Sequence, residues 1–159
     1  MKIALFPGSF DPITKGHVAI IERAIPLFDK IVIGIGTNST KKHLFNLEER
    51  TSWIKEIFKD NPKIEIESYE GLTINFCKKI GATYIVRGLR NEVDYNYESG
   101  IAQMNYDMDN SIETIFLQTT PTLSAINSTI VRDIIINNGD VTPFVPSGIQ
   151  KYFNINSAI

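Results

Sequence analysis

Phe6-Pro-Gly-Ser-Phe-Asp-Pro-Ile-Thr-Lys-Gly-His17 is the stretch whose reading decides the fold. An apolar run, Ile3-Ala-Leu-Phe6, leads into it, and Val18, Ile21, Ile25 and Phe28 follow at helical spacing. Pro7-Gly8 and Asp11-Pro12 disfavour continuation of a strand or a helix. The stretch therefore predicts a bend that leaves a strand over 3–6 and opens a helix of roughly three turns. Thr14 can cap that helix, and Pro26 can bend it or end it early. Ser9, Thr14 and His17 are the polar side chains on the bend. In an open parallel sheet such bends lie on the edge where ligands bind.

The same alternation repeats outward from there. Ile31-Val-Ile-Gly-Ile35 is apolar almost throughout, as a parallel strand covered on both faces should be. A helix starts at Asn46, with Glu49 placed for a capping box and Leu47, Ile54 and Phe58 facing inward. Residues 63–67 alternate as a third strand, and 72–80 form a short helix ended by Gly81. Residues 83–86 are a fourth strand running into Arg87-Gly-Leu-Arg90. Residues 91–109, rich in tyrosine, read as a helix broken or bent near Gly100. Residues 113–117 are a fifth strand, and Ile130, Val131, Ile134 and Ile135 mark a helix that ends at Asn138-Gly139. A short helix around 149–153 closes the chain. This order predicts an α/β fold, a doubly wound five-stranded parallel sheet, with residues 1–159 as one domain.

Composition bounds the function. Hydrophobic content of 43% and charged content of 21% are those of a globular protein. A net charge of −2 gives no overall pull toward nucleic acid or anionic membrane, so any polyanion must meet a local basic cluster. No run approaches the length of a membrane span, and Cys77 is the only cysteine. The expected location is the cytoplasm.

Four polar segments fall on the ligand edge: 9–17, 37–42, 87–90 and 123–129. They would bring Lys41, Lys42, Arg87 and Arg90 together as a positive pocket. His17 lies in the first turn of a helix, where free N–H groups and the helix dipole favour anions. Gly16 before it leaves room for a ligand. Arg87 emerges from its strand with Gly88 beside it and suits bidentate phosphate contact. The competing reading for this arginine is an ion pair with Glu92, Asp94 or Glu98. Asn127, Ser128 and Thr129 precede or begin the last long helix, as caps or as an anion site. Neither G-x-x-x-x-G-K-[ST] nor G-x-G-x-x-G occurs, no G-x-S-x-G surrounds Ser9, and no Cys/His cluster has zinc spacing.

Thr14-Lys-Gly-His17 matches the T-x-G-H signature of the nucleotidyltransferase superfamily. Adding 6–17, Lys41-Lys42, Leu47-Glu-Glu-Arg50, Arg87-Gly-Leu-Arg90, Asp94-Tyr-Asn-Tyr-Glu98 and Gly139-Asp140-Val141, the chain resembles the bacterial phosphopantetheine adenylyltransferase family over nearly its whole length. The resemblance implies a Rossmann-like nucleotidyltransferase fold. It implies adenylyl transfer from ATP to 4′-phosphopantetheine by direct in-line attack, giving dephospho-coenzyme A and pyrophosphate. It also implies Mg²⁺ brought by the ATP phosphates, a homohexamer, and coenzyme A as a feedback ligand. By the same resemblance Ser9, Lys41, Thr73 and Arg87 contact phosphopantetheine. Ser9, Phe10, His17, Gly88, Leu89, Arg90, Glu98, Leu123, Ser124, Ala125, Ile126, Asn127, Ser128 and Thr129 contact ATP, and His17, Lys41, Arg90 and Ser9 carry catalysis. Ser9 stands where the family often has Thr. Ile126-Asn-Ser-Thr129 replaces the family's I-S-S-S, which leaves open which of Asn127, Ser128 and Thr129 meets phosphate. Two other readings stay open: a sibling transferase with another phosphorylated acceptor, and a nucleotide-binding protein without turnover.

Overall fold

The computed structural model describes residues 1–37, 40 and 42–153. Its strands are β1 (Ile3–Gly8), β2 (Lys30–Gly36), β3 (Ile64–Tyr69), β4 (Tyr84–Leu89) and β5 (Glu113–Gln118). They form one parallel sheet in the order β3-β2-β1-β4-β5. The helices are α1 (Lys15–Ala24), α2 (Leu47–Phe58), α3 (Thr73–Ile80), α4 (Glu92–Met108) and α5 (Ser128–Ile136). Three 3₁₀ turns, Ile25–Leu27, Pro121–Leu123 and Ser147–Tyr152, complete the described elements. The expected five-stranded doubly wound sheet is what forms.

Period-two alternation sends successive strand residues to opposite faces. Ala4, Phe6, Ile31, Ile33 and Val86 pack with Ile20 and Ile21 of α1, Trp53 and Ile54 of α2, and Val131 of α5. Ile3, Leu5, Val32 and Ile85 pack on the other face with Ile74, Phe76 and Cys77 of α3. Burial there pushes the Cys77 thiol up to about 12, so this cysteine behaves as an apolar side chain.

Three details differ from the sequence expectation. β1 runs through Pro7 and Gly8, because it stays paired with β2 up to Gly8↔Ile35. Its ladder to β4 covers only Ala4↔Tyr84 and Leu5↔Ile85, so Pro7 lies beyond the β4 partner. β4 likewise continues past Val86 to Leu89, held by β5, and places Arg87 inside the strand. α4 is continuous through Gly100; a Cβ there would meet nothing within 4 Å, so no close packing requires the glycine. Pro26 acts as expected, turning α1 into a 3₁₀ turn at Ile25.

The positions of the strands explain where a cleft must open. Sheet order reverses between β1 and β4, the place where an open α/β sheet binds ligands. There the two strands separate beyond Leu5 and Ile85 while each remains paired on its other side.

Candidate active site

Two chambers fill that opening. One, of about 590 Å³, is lined by Thr37, Tyr69, Thr73, Ala102 and Asn105 among others. The other, of about 540 Å³, is lined by Phe10, Thr14, Gly16, His17, Gly88, Arg90, Asp94 and residues 126–129. Pro7, Gly8, Ser9, Arg87 and Glu98 border both.

His17 is fixed by the local chain. Thr14 caps α1, and its hydroxyl accepts the His17 N–H at 3.4 Å. In return the Thr14 N–H donates to His17 Nδ1 at 3.1 Å. This is a capping box with histidine in the role usually taken by Glu or Gln. Because Nδ1 accepts a backbone N–H, the neutral ring must carry its proton on Nε2. Desolvation, reinforced by Arg87 and Arg90, lowers the ring's pKa to about 4. At neutral pH His17 is therefore an uncharged donor through Nε2. The Phe10 ring meets it edge-on, 5.3 Å between centroids. Phe10 itself adopts φ 49°, and its ring lies where a Cβ on Gly8 would sit, 2.8 Å away. Gly16 brings α1 close to the carbonyls of Leu123 and Ile126, at 4.0 and 3.8 Å from its Cβ position.

Both arginines have carboxylate partners. Arg87 donates from Nε to Glu98 Oε2 at 2.8 Å and from Nη2 to Oε1, while its Nη1 donates to the Pro7 carbonyl. Arg90 donates from Nε and Nη2 to Asp94 at 2.8 and 2.9 Å, and its backbone N–H joins them at 2.9 Å. These bonds hold the Asp94 carboxyl below the usual carboxylate range and raise Arg90. Of the positive pocket expected from Lys41, Lys42, Arg87 and Arg90, the two arginines are thus paired with carboxylates and Lys42 lines neither chamber, and the ion-pair alternative for Arg87 is realised with Glu98.

α5 supplies the remaining wall. Asn127 caps it, accepting the Ile130 N–H at 2.9 Å. Ser128 donates to the Pro12 carbonyl at 2.8 Å, and Thr129 Oγ1 accepts from Arg132 at 3.2 Å. The departure at Asn127 keeps a side chain of good capping type, and the first-turn N–H groups of Ser128 and Thr129 remain available to an anion.

The cleft therefore unites Ser9, Phe10, His17, Thr73, Arg87, Gly88, Arg90, Glu98, Ile126, Asn127, Ser128 and Thr129. Leu89, Leu123, Ser124 and Ala125 stand outside the lining of both chambers. Lys41 lies outside the described residues. The Ser9 hydroxyl makes no hydrogen bond among them.

Sequence reading missed the support beneath the bend. Buried Asp11 accepts the N–H groups of Leu44 and Phe45, both at 2.9 Å. Arg132 donates to the Asp11 carbonyl at 2.7 Å, and Arg50, also buried, donates to the Ser9 carbonyl at 2.7 Å. Burial lowers the pKa of Arg50, and Asp11 opposes that shift. The only signal was the Leu47-Glu-Glu-Arg50 run, whose arginine lies on the inward side of α2 with Trp53 and Ile54.

Comparison with known proteins identifies the family. The family model described as cytidylyltransferase-like matches residues 5–134. A phosphopantetheine adenylyltransferase of Flavobacterium psychrophilum is 54% identical over 150 residues, covering 94% of this chain and 99% of the relative. One from Christiangramia forsetii is 48% identical over 151 residues, 95% of this chain and 99% of its own length. Among solved structures, a bifunctional NMN adenylyltransferase/ADP ribose pyrophosphatase from Francisella tularensis superposes with TM-score 0.75 at 18% identity, covering 96% of this chain and 48% of that one, a likeness of fold. With near-complete coverage at such identity, and with the T-x-G-H histidine seated at the switch point of the sheet, the chain belongs to the phosphopantetheine adenylyltransferases, nucleotidyltransferases of the cytidylyltransferase-like family.

Proposed function

We propose that this chain transfers the adenylyl group of ATP to 4′-phosphopantetheine, giving dephospho-coenzyme A and pyrophosphate within coenzyme A biosynthesis. The relatives' name suggests the reaction, and one observation carries it for this chain: two chambers share a wall containing Ser9 and Arg87. Transfer between two phosphorylated ligands requires their phosphates to meet at such a wall. The acceptor arm takes the chamber of Tyr69, Thr73 and Asn105, and the nucleotide takes that of Phe10, His17, Gly88 and Arg90.

An acceptor phosphate oxygen attacks the α-phosphorus of ATP. The new P–O bond forms as the bond from the α-phosphorus to its bridging oxygen breaks, and pyrophosphate leaves with that electron pair. No protein nucleophile is required; positioning and charge stabilisation do the work. His17 donates through Nε2 to the α-phosphate, where negative charge develops. Arg90 and the first-turn N–H groups of α5 hold the nucleotide phosphates. Arg87 and the Ser9 hydroxyl orient the acceptor phosphate, with Lys41 assigned to the same phosphate by the family resemblance.

Magnesium would arrive on the nucleotide. Carried by the phosphates, the ion would neutralise their charge; among the described residues no group of three or more His, Cys, Asp or Glu is arranged to hold a metal. Coenzyme A, which carries the acceptor's arm, would compete for the acceptor chamber. We take the enzyme to be a cytoplasmic homohexamer.

The test is pyrophosphate release from Mg-ATP with a panel of phosphorylated acceptors. Release with 4′-phosphopantetheine is expected; no release with it overturns the reading. His17→Ala should cost on the order of 10²–10³ in kcat while ATP binding stays measurable by calorimetry. A kcat near that of the parent protein would remove His17 from its role.

A further inference from the structure

Asp94 and Glu98 lie one turn apart on α4, opposite Arg90 and Arg87 at the end of β4. Each carboxylate takes the same edge of its arginine, the Nε–Nη2 side. A guanidinium has five N–H donors in a rigid plane. Among the described residues Arg87 spends three of them on Glu98 and Pro7, and Arg90 spends two on Asp94. The rest stay available in a plane that the carboxylate has already fixed. Glu98 is nearly fully buried, and both of its oxygens are engaged by Arg87.

We propose that Asp94 and Glu98 are positioning residues that aim the undonated N–H groups of Arg90 and Arg87 at the phosphates. Glu98 then acts through Arg87 rather than by touching ATP, the role its resemblance to the family implied. This rests on the cleft being an adenylyl-transfer site. The chambers predict how the two residues differ. Arg90 and Asp94 border the nucleotide chamber alone, whereas Arg87 and Glu98 border both.

Two double-mutant cycles test the assignment: Arg87→Ala with Glu98→Gln, and Arg90→Ala with Asp94→Asn. An amide has a single carbonyl oxygen, so each conservative variant breaks the two-point grip while keeping side-chain shape. Each carboxylate variant alone should lower kcat/KM about tenfold, the scale seen when a supporting partner is removed. Asp94→Asn should raise KM for ATP only; Glu98→Gln should raise KM for both substrates. In the arginine-to-alanine background neither variant should add further loss, because its only route to substrate is gone. Additive losses in both cycles would overturn the proposal and make the carboxylates direct contacts. Unchanged kcat/KM in both single variants, with only a lower Tm, would overturn it in favour of a purely structural role. Should the parent protein release no pyrophosphate with any acceptor, the functional reading fails, and the same cycles are read on the Kd for ATP, with the same additivity criterion. Asp94 is the more exposed of the two, so its cycle stands if Glu98→Gln does not fold.

Discussion

His17 joins the local fold of α1 to the role proposed for it. Its Nδ1 closes the cap of α1, and that bond dictates which nitrogen faces a ligand. The same placement fixes a pH signature. The folded ring has a pKa of about 4, against an ordinary value of 6.5. Between those values the unfolded chain binds a proton that the folded chain does not, so stability falls as the pH falls through this window. Above 6.5 the contribution is fully present. His17→Gln removes that titration, so its Tm should fall less steeply than the parent's between pH 6.5 and 4 in matched thermal melts. Parallel slopes would mean that the ring titrates alike in both states. The place of His17 in the first turn of a helix capped by Thr14 was legible from Thr14-Lys-Gly-His17, because a cap and its first turn are local. Asp11 was not legible: its partners Leu44 and Phe45 come from the far side of β2, and its sequence context offers only a chain-breaking Asp-Pro.

At the scale of elements, local rules succeeded where an element's neighbours agree with them. Asn46 and Glu49 form the expected box, with Asn46 Oδ1 accepting the Glu49 N–H at 2.9 Å and Glu49 accepting the Asn46 N–H at 2.8 Å. Asn46→Ala should therefore cost about 1 kcal/mol in urea unfolding. Local rules failed where pairing outweighs propensity. Pro7 does not end β1, since the missing N–H is harmless where the β4 ladder has already stopped. That failure is itself tied to function: the extension of β1 and β4 past their shared ladder makes the crevice. Gly100 misled in the other direction. A glycine inside a helix lowers its intrinsic stability, yet α4 is anchored by the two carboxylate–arginine pairs and by Tyr95 against Phe116.

At the scale of the whole molecule, the five strands and the helices between them followed from alternation alone, while the strand order and the pairing of charges across the cleft did not. A net charge of −2 says nothing of where Asp94 and Glu98 point, and only the fold sets them against Arg90 and Arg87. The fold also exposes what sequence could not assign. Val93, Tyr97, Ile101, Met104 and Met108 recur at spacings of three and four along α4 and are 75, 71, 40, 63 and 49% exposed. They form one stripe over an arc of roughly 80° at 100° per residue. Single exposed apolar residues are ordinary, but a stripe this long is the kind of surface another chain covers. A second copy of this chain fits the proposed hexamer, and its docking would brace the helix that holds Asp94 and Glu98. The parent protein should therefore run as an oligomer in light scattering coupled to size exclusion, and Met104→Lys should shift it to a smaller species. Pyrophosphate release should fall along with assembly, since α4 would lose its brace beside the cleft. A parent protein that is monomeric at micromolar concentration would leave the stripe without this partner, whereas an oligomer untouched by Met104→Lys would place the contact elsewhere on the surface.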